Sequence, residues 1–361
     1  KIALLSLFCE FWLFKFILFM AIFTLGLNGA EVSLRAKVSQ MIMVGFNGAS
    51  TKDAAFRAML SDAGYERFGG VMLLGRNVTS KAQLKASIKA IKEKSPKIFI
   101  AIDEEGGNVS RMKDKSFDGP YPSAYEVAST LDIKSAYDLY SKMAINLKEC
   151  GINLNFAPVV DLHDENSPII AAKQRAFSEY ASKVVIYADA FMDAFKEQGI
   201  LTTLKHFPGH GSSKEDSHKN KSEVTLSKDT LLPYKDAIST GRAQIIMVGH
   251  LFVKGIDEDN PATLSKKIIT DLLRNELKFN GVVISDDMLM KGVGDEALAQ
   301  KVVKFINAGG DILLFSEFKI NNQRTADLIT QIIVDAVNEK KISKERIDAS
   351  YKRIMALKAK L

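Results

Sequence analysis

Ile200-Leu201-Thr202-Thr203-Leu204-Lys205-His206-Phe207-Pro208-Gly209-His210-Gly211 is an apolar run that breaks abruptly into ionisable and turn-forming side chains. Ile200 to Leu204 reads as a buried strand, and Pro208, Gly209 and Gly211 as the loop that ends it. Asp216-Ser217-His218 follows, so three of the five histidines lie in or beside one glycine-rich loop. Imidazoles are the side chains best poised for proton transfer near neutral pH. A second stretch has the same form: Val282-Val283-Ile284-Ser285-Asp286-Asp287-Met288. A lone Asp after a strand is often the N-cap of the next helix. Two in succession leave one to cap and one to face a site.

The pattern recurs along the chain. Short apolar runs at Met41–Phe46, Gly70–Leu74, Ile98–Ile102, Asn153–Phe156, Leu201–Lys205, Ile245–Val248, Val282–Ser285 and Asp311–Phe315 read as strands. Amphipathic segments alternate with them at Lys52–Ala63, Ser80–Lys94, Ile133–Cys150, Tyr180–Gln198, Lys228–Thr240, Ser265–Glu276, Glu296–Ala308 and Arg324–Glu339. Glycines 151, 199, 241 and 309 stand where helices should stop. Near-continuous apolar strands alternating with helices predict an α/β fold, a single-domain (β/α)8 TIM barrel over residues 31–361. A doubly wound sheet is the alternative. It usually carries a glycine-rich turn after its first strand, and Gly45-Phe46-Asn47-Gly48 is not the dinucleotide fingerprint. The stretch Ile342–Leu361 reads as a basic terminal helix.

Composition excludes several classes. The net charge of +6 is mild, and Lys81, Lys85, Lys89 and Lys92 recur at the spacing of a solvated helix face. There is no basic block interleaved with aromatics, so no nucleic acid is expected as a partner. The two cysteines, Cys9 and Cys150, form neither a disulfide framework nor a metal motif. Residues 2–27 are almost wholly apolar, interrupted by Glu10 and Lys15, and end near Asn28-Gly29-Ala30. Residues 1–30 are therefore set apart as a signal peptide or an uncleaved membrane anchor. The expected location is periplasmic or inner-membrane-anchored, with the cytoplasm as the alternative.

Active sites of such barrels sit at the C-terminal strand ends. There the sequence delivers Arg76-Asn77, Asp103-Glu104-Glu105-Gly106-Gly107, Pro158 to Asp161, Lys205-His206, His250 and Asp286. That convergence points to an enzyme. Metal-dependent hydrolysis needs ligands spread over several strands, whereas the histidines here crowd one loop. No Gly-x-Ser-x-Gly elbow supports a serine triad. Neither a metal nor another cofactor is expected.

Glycoside hydrolysis fits better. A retaining enzyme needs a carboxylate nucleophile and a separate proton donor about 5–5.5 Å from it. Asp286 fits the first role, and His218 backed by Asp216 fits the second. Asp103, Arg111, Arg175, Lys205 and His206 are placed to clamp a hydroxyl-rich sugar. His210 reads as a residue that orders its loop. His250 is balanced between lining the pocket and serving the structure, while His163 and Cys150 read as structural or incidental.

From about Lys37 to Ala308 the chain resembles the family-three β-N-acetylglucosaminidases, the NagZ-type enzymes of peptidoglycan recycling. The resemblance rests on Gly70 to Asn77, Asp103 to Arg111, Asn153 to Asp161, Arg175-Ala176-Phe177, Lys205 to Gly211 with Asp216-Ser217-His218, and Ser285 to Met288. It implies Asp286 as nucleophile, His218 as acid/base and Asp216 as its support. It also implies Asp103, Arg111, Arg175, Lys205 and His206 as ligands of the terminal sugar. The implied activity is removal of terminal N-acetylglucosamine from a glycan, with peptidoglycan fragments as its expected source. The alternatives are a β-glucosidase or β-xylosidase of the same family, and a non-catalytic envelope glycan-binding protein. Hydrolysis and phosphorolysis, the aglycone and the oligomeric state stay open. Two places depart from the family pattern: Glu104 stands where Gln is usual, and Lys173-Gln174 where a Gly and a short polar residue are common.

Overall fold

The computed structural model describes residues 31–216 and 221–361. From Arg35 to Leu361 the chain forms one compact unit. Its centre is a parallel barrel of eight strands: β1 (Ile42–Gly45), β2 (Gly70–Leu73), β3 (Phe99–Ile102), β4 (Leu154–Asn155), β5 (Leu201–Phe207), β6 (Ile245–Val248), β7 (Val282–Ser285) and β8 (Leu313–Phe315). They pair in chain order. Met43 lies opposite Gly70, Gly70 opposite Phe99, and Ala101 opposite Leu154. Thr203 lies opposite Ile245, and Ile245 opposite Val282. β8 returns to β1, with Leu313 opposite Ile42. The last seam closes where Ile284 pairs with Ile312, Asp311 N–H donating to Val283 O at 2.8 Å and Ser285 N–H to Ile312 O at 3.0 Å. A barrel thus leaves no edge strand open to aggregation.

Each strand is buried along its whole length, which is why its sequence is continuously apolar rather than alternating. Outer helices follow the strands: α1 (Ala54–Gly64), α2 (Lys81–Lys94), α3 (Ile133–Cys150), α4 (Ala181–Glu197), α5 (Lys228–Ser239), α6 (Lys267–Glu276), α7 (Leu298–Ala308) and α8 (Thr325–Asn338). α6 is wound in wider π turns. Ser80, Asp132 and Ser227 cap α2, α3 and α5 by accepting a backbone N–H in the first turn. Gly151 and Gly309 end α3 and α7 in the left-handed conformation, at φ +89° and +112°. A side chain is strained there, so glycine is the residue that stops these helices.

The terminal helix, Lys344–Lys358, packs beneath the barrel. Its Arg346, Ser350 and Arg353 all reach Asp311 at the start of the β8 segment, at 3.0, 2.7 and 3.2 Å, and Arg274 of α6 joins them at 2.6 Å. Among the described residues no helix is long and apolar enough to cross a membrane. The apolar segment 2–27 lies outside the described residues.

Candidate active site

A pocket of about 640 Å³ opens at the C-terminal ends of the strands. Met72 and Leu74 enter it from β2, Asp103 and Glu105 from β3, and Phe156 from β4. Lys205, His206 and His210 come from β5 and its loop, Met247 from β6, Asp286, Asp287 and Met290 from the β7 loop, and Leu314 and Ser316 from β8. The position follows from the topology, because loops at this end fan out from every strand around one axis.

Charged groups on its wall form a chain of contacts. Lys205 Nζ donates to Asp103 Oδ1 at 2.8 Å and lies 2.6 Å from Glu105 Oε1. Glu105 accepts two bonds from Arg175, from Nε and Nη2, both at 2.8 Å. This fork-on-fork pairing fixes the guanidinium plane. Arg175 Nη2 in turn lies 3.3 Å from His206 Nε2, and His206 Nδ1 lies 2.7 Å from Asp161 Oδ2. The Nδ1 edge of His206 thus faces a carboxylate, which can only accept, and its Nε2 edge an arginine, which can only donate. The second Asp161 oxygen accepts the His210 backbone N–H at 2.7 Å.

Burial sets the electrostatics of this chain. Desolvation alone would raise the Glu105 carboxyl, but the Arg175 and Lys205 charges hold it well below the usual carboxylate range. The same attraction, against desolvation, holds Lys205 and Arg175 above their ordinary values. Asp161 is buried too, and its contact with His206 keeps it ionised. Burial, helped by His206, pushes His210 down to about 4.

Opposite this chain stands the Asp286-Asp287 pair. Asp286 Oδ1 accepts the Asp287 backbone N–H at 2.8 Å, and Asp286 N–H donates to Val248 O at 3.0 Å. Asp287 Oδ1 accepts backbone N–H bonds from Leu289 at 3.1 Å and Ser316 at 3.0 Å. Asp287 therefore ties the β7 loop to β8, and its burial raises its carboxyl. Arg111 enters from the β3 loop. Its Nη2 reaches Asp103 at a long 3.4 Å, and its buried Nε makes no hydrogen bond among the described residues. The guanidinium has donors left over for a ligand.

Residues 33–357 match the profile described as "Glycosyl hydrolase family 3 N terminal domain". The chain belongs to glycosyl hydrolase family 3. A relative from Pseudoalteromonas piscicida, named Beta-hexosaminidase A, is 32% identical over 329 residues, covering 81% of this chain and 53% of its own length. A Beta-hexosaminidase from Tolumonas auensis is 35% identical over 253 residues, covering 68% of this chain and 75% of its own. Among solved structures, a family 3 β-N-acetylglucosaminidase from a Paenibacillus species superposes with a TM-score of 0.82 at 30% identity, over 91% of this chain and 62% of that one. The chain thus spans about half the length of the first relative and under two thirds of that solved chain.

In this family 3 barrel, Asp286, Asp103, Arg111, Arg175, Lys205 and His206 all line the one pocket. Asp216 is half-buried on the loop that leaves β5, and His218 lies outside the described residues. His250, balanced between two readings in the sequence, is fully buried between Thr263 Oγ1 at 2.8 Å and the Asp287 carbonyl at 2.9 Å, and is not among the lining residues. Arg76 and Asn77 also stay out of the pocket. Asn77 donates to Phe46 O and Gly48 O, and Arg76 to Phe46 O and Ser316 O, so both tie strand-end loops together. His163 lies against Tyr125, with ring centroids 4.8 Å apart and the planes tilted by 30°.

Two contributors were not singled out from sequence. Glu105 joins two of the cations, and Asp161 orients His206. Strand alternation contains the signal for the first. Asp103 and Glu105, two residues apart, face the pocket together, while Glu104 between them turns away.

Proposed function

We propose that the chain is a retaining exo-β-N-acetylhexosaminidase that removes a non-reducing terminal N-acetylglucosamine. The observation that carries this reading is the placement of Asp286, at the end of a rigid strand, across a pocket from Asp103, Lys205, Arg175, Arg111 and His206. A pyranose offers a ring of hydroxyls that need both donors and acceptors. The ion-paired wall supplies both without leaving a buried charge unmatched. The names of the relatives support a hexosamine as the class of substrate, and that of the Paenibacillus β-N-acetylglucosaminidase supports its N-acetylated form.

In the first step Asp286 attacks the anomeric carbon while the His218 imidazolium protonates the leaving oxygen. In the second, neutral His218 takes a proton from water, the water oxygen attacks the anomeric carbon, and the bond to Asp286 breaks. Asp216 holds the other His218 nitrogen in one tautomer. A histidine donor makes the first step sensitive to the leaving group. His218→Ala should lose about 10²–10⁴-fold with a sugar alcohol as leaving group. With a nitrophenol, which leaves unprotonated, the first-step loss should be much smaller. Equal losses on both would take the proton-donor role away from His218.

The expected substrates are peptidoglycan fragments, reached from the periplasm with residues 2–27 as a membrane anchor. Fractionation of the full chain tests the location, and intact protein in the soluble cytosolic fraction would refute it. Chromogenic N-acetylglucosaminide, glucoside and xyloside compared side by side test the sugar. Turnover of the first and not the others is the expected result.

A further inference from the structure

Asp161 does not line the pocket, yet two parts of the site hang on its carboxylate. It is wholly buried in the loop after β4. Backbone pairing delivers it to the end of β5: Val159 pairs with Lys205, and Val160 N–H donates to Lys205 O at 2.9 Å. Its Oδ2 lies 2.7 Å from His206 Nδ1, and its Oδ1 accepts the His210 backbone N–H at 2.7 Å. The His206 backbone N–H stands 3.3 Å from both oxygens. One side chain thus holds the ring of a pocket residue and the turn that follows it.

From that turn the bonds run outward along the loop. Gly209 N–H donates to His206 O at 2.8 Å, and Ser213 N–H to His210 O at 3.1 Å. Ser213 is fully buried, and its Oγ donates to Glu215 O at 3.0 Å. Ser222 Oγ donates to the same carbonyl at 3.1 Å. The next residue is Asp216. The turn is also packed tightly on the residue after Asp161: a Cβ on Gly211 would collide with the Leu162 carbonyl oxygen. The root of the loop therefore rests on the 161–162 segment at two points, the Asp161 carboxylate and the Gly211 backbone.

We propose that Asp161 is a positioning residue that sets the sugar-binding His206 and the root of the Asp216-bearing loop from one carboxylate, so that sugar and proton donor are placed together. This rests on the proposed function, with His206 as a ligand of the terminal sugar and His218, backed by Asp216, as the donor. The place calls for a carboxylate, because both of its oxygens face backbone N–H groups. An asparagine keeps the shape but turns one acceptor into a donor. Whichever way the amide points, its nitrogen meets a backbone N–H, and the ring or the turn must move away from it.

The test is kcat/KM, which measures the first chemical step from free enzyme and substrate, on two N-acetylglucosaminides. One leaves as a sugar alcohol and the other as nitrophenol. The enzymes compared are the wild type, Asp161→Asn, His206→Ala, their double variant and Gly211→Ala. Asp161→Asn should lose about tenfold on both substrates, the scale of one hydrogen bond to a charged group. It should lose about tenfold or more again on the sugar alcohol, which alone needs the proton. On the His206→Ala background the shared loss should vanish and the extra loss remain. Gly211→Ala, which displaces the loop root and not the ring, should show the extra loss by itself. Losses of equal size on both substrates in Asp161→Asn, or a wild-type ratio of the two substrates in Gly211→Ala, would overturn the joint role. The Gly211→Ala result decides the matter even where Asp161→Asn does not fold. A wild type that turns over neither substrate would remove the proposed function itself.

Discussion

Lys205 and Glu105 stand 2.6 Å apart with side chains almost wholly buried, and neither is spare: Lys205 also holds Asp103, and Glu105 also holds Arg175. Glu105 is thus the anion that lets two cations sit side by side in a dry wall. Removing one member of a buried pair leaves the other charge uncompensated. Glu105→Ala should therefore lower unfolding free energy by roughly 3–5 kcal/mol and raise KM sharply. Chemical denaturation checks the first effect. A loss under about 1 kcal/mol, the scale of an exposed pair, would show that the wall is held by something else.

His210 gives a pH signature of its own. In the unfolded chain it takes a proton near pH 6.5, but in the fold only near 4, because it is buried beside His206. Between those values the unfolded state binds more protons, so stability falls as pH falls from about 6.5 to 4. The depressed carboxyls of Glu105, Asp161 and Asp311 act lower down. Their contribution is present above the unfolded carboxylate pKa of about 4 and is lost as pH falls through their folded values. His210→Gln should flatten the first region, worth on the order of 3 kcal/mol, and leave the acid limb intact. Denaturant midpoints at pH 7, 5 and 4 check this. A wild-type profile that is flat between 7 and 5 would contradict it.

Asp311 is the anchor of the terminal helix. It accepts from Arg274, Arg346, Arg353, Ser350 and the Val283 backbone, and these cations hold its buried carboxyl below the usual range against desolvation. Asp311→Ala should destabilise by roughly 3–5 kcal/mol and open helix 344–358 first. Amide exchange resolves the order. Uniform exchange across that helix and the barrel strands would speak against a local anchor.

The barrel was legible because its strands are buried on both faces. Val282 to Ser285 and Ile245 to Val248 are then apolar throughout, and Gly151 and Gly309 mark helix ends by backbone sterics alone. The short parallel pairing of Ser222–Val224 with Leu251–Val253 was not legible. Its segments are too brief to show a period. In the site, a strand end fixed which residues gather but not how they divide the work. Asp103, Glu104 and Glu105 look alike in sequence, yet pairing to Lys205, to the Arg111 backbone and to Arg175 separates them. His250 ends a strand as Lys205-His206 does, but its partners, Thr263 and the Asp287 carbonyl, arrive from distant loops and draw it into the interior.

The central claim is a covalent intermediate on Asp286. A fluorinated N-acetylglucosamine-type substrate with a good leaving group should inactivate the enzyme and add one glycosyl unit. Peptide mass spectrometry should place that unit on Asp286, and Asp286→Ala should neither turn over nor be labelled while keeping the wild-type fold. A label on Asp287, or turnover by Asp286→Ala at the wild-type rate, would contradict the account.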